Sequence, residues 1–151
     1  MPLLTEKETA YLLAHRVGRL ATTNADGVPH VIPTNYHLDP DTGTIGIGHV
    51  VLEGRGQERL YLRNLTANPH AAFVVDDWVT VPHWTPTGIT LKGTTVLHPE
   101  GGSTLSPNYG PRWLEITPTW VSSWGIDTSS YTPATPRKLP PQPLNPPRPR
   151  Q

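Results

Sequence analysis

The 151-residue sequence predicts a mainly β domain, an antiparallel barrel of six strands with two short helices. Three observations carry that reading. Several runs, from Gly18–Thr23 to Trp113–Trp124, alternate apolar and polar side chains at the period of a half-buried strand. Tight-turn sequences, Asn24-Ala25-Asp26-Gly27 and Asp39-Pro40-Asp41-Thr42-Gly43, separate extended runs. Helix signals are confined to two stretches, and many short strands with few helices close best into a small barrel.

The elements follow in order. Thr5-Glu6-Lys7-Glu8 reads as a capping box that opens a helix running to about His15. A strand over Gly18–Thr23 turns at Asp26-Gly27 into a second over Val28–His37. The Asp39–Gly43 turn leads to a third over Thr44–His49. Gln57–Ala67 favours a helix, ended by Asn68-Pro69. Ala71–Val75 reads as a buried strand, Gly88–Leu97 alternates again, and Trp113–Trp124 closes the set with an interruption at Pro118. Residues 98–111, rich in Gly, Ser and Pro, read as the loop between the last two strands.

Charge divides the chain. It holds twelve basic and twelve acidic residues, but four of the basic ones and none of the acidic ones lie beyond residue 128, leaving eight against twelve before it. Eight of the nineteen prolines also fall in residues 129–151. Such a segment buries too little surface to offset its ordering entropy. The expected organisation is therefore an acidic folding unit over 1–128 and a basic, proline-rich disordered tail over 129–151. No apolar run approaches the ~20 residues of a membrane span, and the N-terminal residues lack a signal-peptide pattern, so a cytoplasmic protein is expected. The absence of cysteine excludes disulfides, thiolate metal sites and thiol nucleophiles.

Catalytic motifs are sparse. There is no nucleophile elbow, Walker loop or zinc-protease histidine pair, and the seven histidines fall on different elements without ligand spacing. Gly46-Ile47-Gly48 lacks the third glycine of a dinucleotide loop, since Val51 stands there. The acidic body argues against nucleic acid as a partner. The five tryptophans suit either a core or a planar ligand, and Arg137–Pro143 fits a basic-flanked Pro-x-x-Pro ligand, a pattern proline-rich tails also produce by chance. The informative stretch is Gly48–Asn64, between strand and helix. Arg55, Arg59 and Arg63 recur there every four residues, and glycines flank Arg55. That pattern suits a phosphate or polycarboxylate; a solvated face paired with Glu53 and Glu58 is the alternative.

Gly18-Arg19-Leu20-Ala21-Thr22, the Asp26-Gly27 hairpin with Pro29, and Asn68–Asp77 resemble the pyridoxamine-5′-phosphate-oxidase-like split barrels. Trp84-Thr85-Pro86-Thr87-Gly88-Ile89, Lys92-Gly93, Ile116–Pro118 and Ser123–Asp127 are similar to the actinobacterial branch of oxidoreductases dependent on the deazaflavin coenzyme F420. The resemblance covers residues 4–127. It implies a homodimeric six-stranded split barrel with F420 or FMN at the dimer interface. It further implies hydride transfer to a small unsaturated substrate, with the cofactor supplying the redox chemistry. Val31, Ile32, Pro33 and Thr34 would lie along the tricyclic ring, followed by Gly48 and His49, and the Arg55, Arg59 and Arg63 segment would hold the phosphate. One departure stands out. Leu60 and Tyr61 occupy ground where the family places a basic run, so Arg55 or Arg59 would replace the phosphate lysine. A non-catalytic binding barrel and a cofactor-independent lyase or cyclase on the same fold are the alternatives.

Overall fold

The computed structural model describes residues 3–52, 58–132 and 136–141. The first helix, α1 (Glu6–Ala14), opens on the expected capping box. Thr5 Oγ1 accepts from the Glu8 N–H and a Glu8 carboxylate oxygen accepts from the Thr5 N–H, each at 3.1 Å. Strands β1 (Val17–Thr23) and β2 (Pro29–Asn35) form the first hairpin. In its turn Asn24 Oδ1 accepts from the N–H groups of Asp26 and Val28, and Gly27 takes φ 81°, which a glycine adopts without steric cost.

The expected second strand divides. Its continuation, β3 (His37–Leu38), pairs with β4 (Ile45–Ile47) instead of β1, so the curled sheet has seven strands in sequence along its path, not six. Tyr36 stands at the division: its side chain continues the inward alternation of β2 into the core, its hydroxyl donates to the Leu12 carbonyl at 2.6 Å, and pairing with β1 ends one residue earlier, at Asn35 opposite Val17. The remaining long strands are β5 (His70–Val79), β6 (Thr85–His98) and β7 (Trp113–Trp124). Helix α2 (Leu60–Ala67) starts three residues later than expected and packs on β1 and β6. Strands run in the order β2-β1-β5-β6-β7-β4-β3, all antiparallel. The two ends of that path, β2 and β3, are separated by one residue in sequence. The sheet must curl to bring them together, and it stays open between them: a split barrel.

The inner face holds Leu20, Phe73, Val75, Ile89, Leu91, Leu114, Ile116 and Val121, with Ile45 and Ile47 from β4 and Tyr61, Leu62 and Leu65 from α2. Pro118 sits opposite Gly93, where the register between β6 and β7 shifts. The bulge there leaves the neighbouring Thr119 without a partner on β6, the kind of ladder irregularity at which a strand tolerates proline. β5 and β6 extend beyond the expected ends, through Asp76–Val79 and Thr85–Thr87, as a paired hairpin carrying exposed Trp78. Trp84, also exposed, lies just before β6.

Part of the segment expected to lie unpaired beyond residue 128 joins the sheet. A two-residue strand, β8 (Arg137–Lys138), pairs with Trp120 and Val121 of β7. The Arg137 guanidinium donates to both oxygens of Glu8, at 2.8 and 2.6 Å, and Ser123 Oγ donates to the same carboxylate at 3.1 Å. Glu8 is fully buried, and a carboxylate removed from water needs such partners.

Candidate functional site

One cleft brings most of the expected residues together. Its volume is ≈310 Å³, and its walls are His30, Ile32, Pro33 and Thr34 of β2, His49, and Arg59, Leu60 and Tyr61 at the start of α2. β2 is an edge strand, paired only with β1, and its alternation turns His30, Ile32 and Thr34 to one face. Val31 points to the other face, opposite Ala21 and 64% exposed, and takes no part in the cleft.

His49 follows β4 on a segment clamped by the 98–112 loop. The Gly110 N–H donates to the His49 carbonyl at 3.1 Å, and Val50 bridges to Tyr109. Gly48 is part of that clamp and not of the cleft: a Cβ on it would lie 2.4 Å from the Tyr109 ring, so glycine is needed for the loop to close on the strand. His49 Nδ1 lies 3.1 Å from the Tyr61 hydroxyl, with the rings edge to face at 6.4 Å. Burial pushes the Tyr61 phenol up from its ordinary value, against the guanidinium charges of Arg59 and Arg112, so it remains protonated.

The arginines separate. Arg59 is the N-cap of α2 in an extended conformation, and its guanidinium donates to the Val50 carbonyl at 3.4 Å beside the cleft. Arg63, one turn into the helix, is exposed and does not line the cleft. The four-residue spacing therefore does not stack these two side chains, because the helix begins at Leu60. Arg55 lies outside the described residues.

His30, Leu60 and Tyr61 are cleft residues that the sequence reading left out. His30 was legible as the residue two before Ile32 on the same strand face. Tyr61 was visible only as a departure from a basic run. The described residues contain no cluster of three or more His, Asp or Glu able to hold a metal ion. No helix among them is long and apolar enough to cross a membrane.

The cleft's chemistry is bipartite. Ile32 and Leu60 form an apolar wall suited to the face of a planar ring, while Arg59, His49 and Thr34 supply donors suited to an anion or carbonyl oxygen. A tricyclic ring with a phosphorylated side chain fits this donor set. The volume sits at the lower end of the roughly 300–1,000 Å³ usual for ligand sites, so such a ligand's tail would extend beyond it.

Comparison with known proteins adds the following. The family model for pyridoxamine 5′-phosphate oxidase matches residues 4–125. The chain is 38% identical over 128 residues to the 5a,11a-dehydrotetracycline/5a,11a-dehydrooxytetracycline reductase of Streptomyces rimosus, covering 82% of this chain and 84% of that one. Among solved structures, a heme binding protein from Mycobacterium smegmatis superposes with TM-score 0.63 at 18% identity, covering 89% of this chain; the chain spans 58% of that protein's length. A FAD-binding protein from Mesorhizobium loti gives TM-score 0.57 at 21% identity, over 80% of this chain and 94% of that one. At these identities the structural matches speak to the fold alone.

Proposed function

The chain belongs to the pyridoxamine 5′-phosphate oxidase family, and from that membership we propose that it is a reductase acting on a small, electron-poor unsaturated substrate with F420 or FMN as hydride donor. The observation that carries this reading is the cleft, in which a β2 wall, a histidine and an arginine converge in a chain similar to a named reductase. When bound, a reduced flavin or deazaflavin supplies a hydride. The chain's residues do the rest. Ile32 and Leu60 exclude water from one face of the ring, Thr34 and His49 offer polar contacts at its edge, and Arg59 holds a phosphate. A homodimer agrees with the outer face of the sheet, where exposed Val31 continues a row through Ala21 and Ala72 that a second copy would cover. The cytoplasm is the expected compartment.

The test is direct. Purified protein titrated with FMN or F420 is expected to quench cofactor fluorescence, and the reduced cofactor to be reoxidised when an α,β-unsaturated ketone is added. Absence of quenching overturns the reading, and quenching without turnover favours a non-catalytic binding barrel. Arg59→Ala is expected to weaken binding of the phosphorylated cofactor by about 1.5–3 kcal/mol, the worth of a charged hydrogen bond, as measured by the same titration. An unchanged dissociation constant would remove Arg59 from the site.

A further inference from the structure

We propose that a second cleft, on the outer face of β3, β4 and β7, binds a small protonated amine with an apolar body. Its volume is ≈290 Å³, and it shares no lining residue with the first cleft, so binding here stands or falls apart from any reductase activity. Ile45 and Ile47 point into the core, so Gly46 between them faces outward, in register with His37 on one side and Glu115 on the other. The 98–112 loop folds over that surface. A Cβ on Gly46 would lie 2.9 Å from the Leu105 side chain and 3.5 Å from the Trp113 ring, so the glycine lets both come down on the strand. Leu38, Leu105 and Trp113 thereby give the cleft apolar walls. Trp113 is held in place: its Nε1–H donates to the Glu100 carbonyl at 3.0 Å, and His98 stacks on its ring at 4.1 Å.

The polar groups of the cleft are acceptors. Glu115 is the chief of them, with its side chain only 12% exposed. Its one ion-pair partner among the described residues is His98, whose Nε2 stands 3.8 Å from Oε2, beyond hydrogen-bond reach, and is itself buried with no hydrogen bond. A carboxylate so far removed from water calls for donors, and the cleft is the side from which they can come. Asp39, which accepts from the Asp41 and Thr42 N–H groups of its own turn, adds a second negative charge. The Thr104 hydroxyl donates to the Gly101 carbonyl, which leaves its lone pairs to accept from a ligand. No lysine or arginine lines the cleft, and burial lowers the His37 imidazole from its ordinary value, so it is neutral at pH 7. A protonated amine brings both the missing donors and the opposite charge, whereas an anion would meet only repulsion.

Benzylamine, charged at neutral pH, and benzyl alcohol, its uncharged counterpart of the same shape, test the proposal by ¹H–¹⁵N NMR titration of the full chain. Benzylamine is expected to bind with a dissociation constant of about 1 mM or below, shifting the Trp113 indole N–H and the amides of Gly46, Thr104 and Leu105. Benzyl alcohol should bind at least about tenfold more weakly, because it lacks the charge. Glu115→Gln keeps the side chain's size and should weaken benzylamine by about tenfold or more. Asp41→Asn removes the same charge from the neighbouring turn, outside the cleft lining, and should leave binding within about twofold. Failure of benzylamine to saturate by about 20 mM, or shifts centred on another part of the chain, overturns the site. An alcohol that binds as tightly as the amine, a Glu115→Gln protein that binds like wild type, or an Asp41→Asn loss equal to that of Glu115→Gln overturns the recognition of a cation by Glu115. Should Glu115→Gln fail to fold, the comparison of amine and alcohol on wild type decides.

Discussion

Arg137→Ala is expected to destabilise the protein by about 3 kcal/mol, the lower end of the cost of stripping one partner from a buried ion pair. The lower end applies because the Arg137 side chain is 37% exposed while Glu8 is fully buried, and because Ser123 and the Thr5 N–H still bond the carboxylate. The effect carries a pH signature. Burial raises the Glu8 carboxyl, but the bonds from Arg137, the Thr5 N–H and Ser123 outweigh it and hold the group below 4.5. A carboxyl depressed in the folded state adds stability that is present above its unfolded value and is lost as pH falls through the folded value. Without Arg137 the hydrogen bonds and charge that do most to lower the carboxyl are gone, so it rises from its wild-type position and the stability it adds at neutral pH is reduced. The gap between variant and wild type should therefore be full at neutral pH and shrink as pH approaches about 4. Urea midpoints across that range measure it, and adding Glu8→Gln to Arg137→Ala should recover part of the loss. A variant as stable as wild type at neutral pH would show that the pair is dispensable.

Phe73→Ala should cost about 3–5 kcal/mol, because a large ring leaves a cavity that the curled sheet cannot collapse around. Phe73 is 1% exposed, meets Tyr36 edge to face at 5.3 Å, and lies over Gly18, where a Cβ would come within 2.3 Å of the ring and 2.9 Å of the Val74 carbonyl. Gly18 is thus glycine for space. Gly18→Ala alone should overpack the same spot, and combined with Phe73→Leu its cost should be smaller than the sum of the two single changes. Additive urea midpoints would show that ring and glycine do not compete for that volume.

The local signals were legible. The Thr5–Glu8 capping box, the Asp26-Gly27 turn and the alternation of β1, β6 and β7 are properties of a few neighbouring residues, and they form as expected. What could not be read depended on distant contacts. Nothing near Glu8 in sequence marks it as the partner of Arg137, 129 positions away, and composition pointed to disorder where the pair is made. The expected second strand divides at Tyr36, where pairing passes from β1 to β4, a change set by strands distant in sequence. The β5–β6 hairpin extends past Val75 through main-chain pairing, which leaves no apolar pattern to detect. At the cleft, Ile32, Pro33, Thr34, His49 and Arg59 converge as anticipated, whereas Val31 falls on the wrong face by one residue of a period-two pattern and Gly48 serves the loop. Leu60 and Tyr61 looked like a missing basic run; in space they are an apolar wall and a buried phenol.

β7 gives the far side of residues 114–116 to β4, which leaves its continuation to be met by β8 at residues 120 and 121. An uncovered strand there would present a row of unsatisfied main-chain groups, a template on which another molecule's strand grows. The two residues Arg137 and Lys138 occupy that row with charged side chains and are followed by Pro140 and Pro141, which have no N–H to continue a ladder. Within the stretch that looks least like a folded protein, these two residues thereby cover a strand edge on which another molecule's strand could otherwise pair.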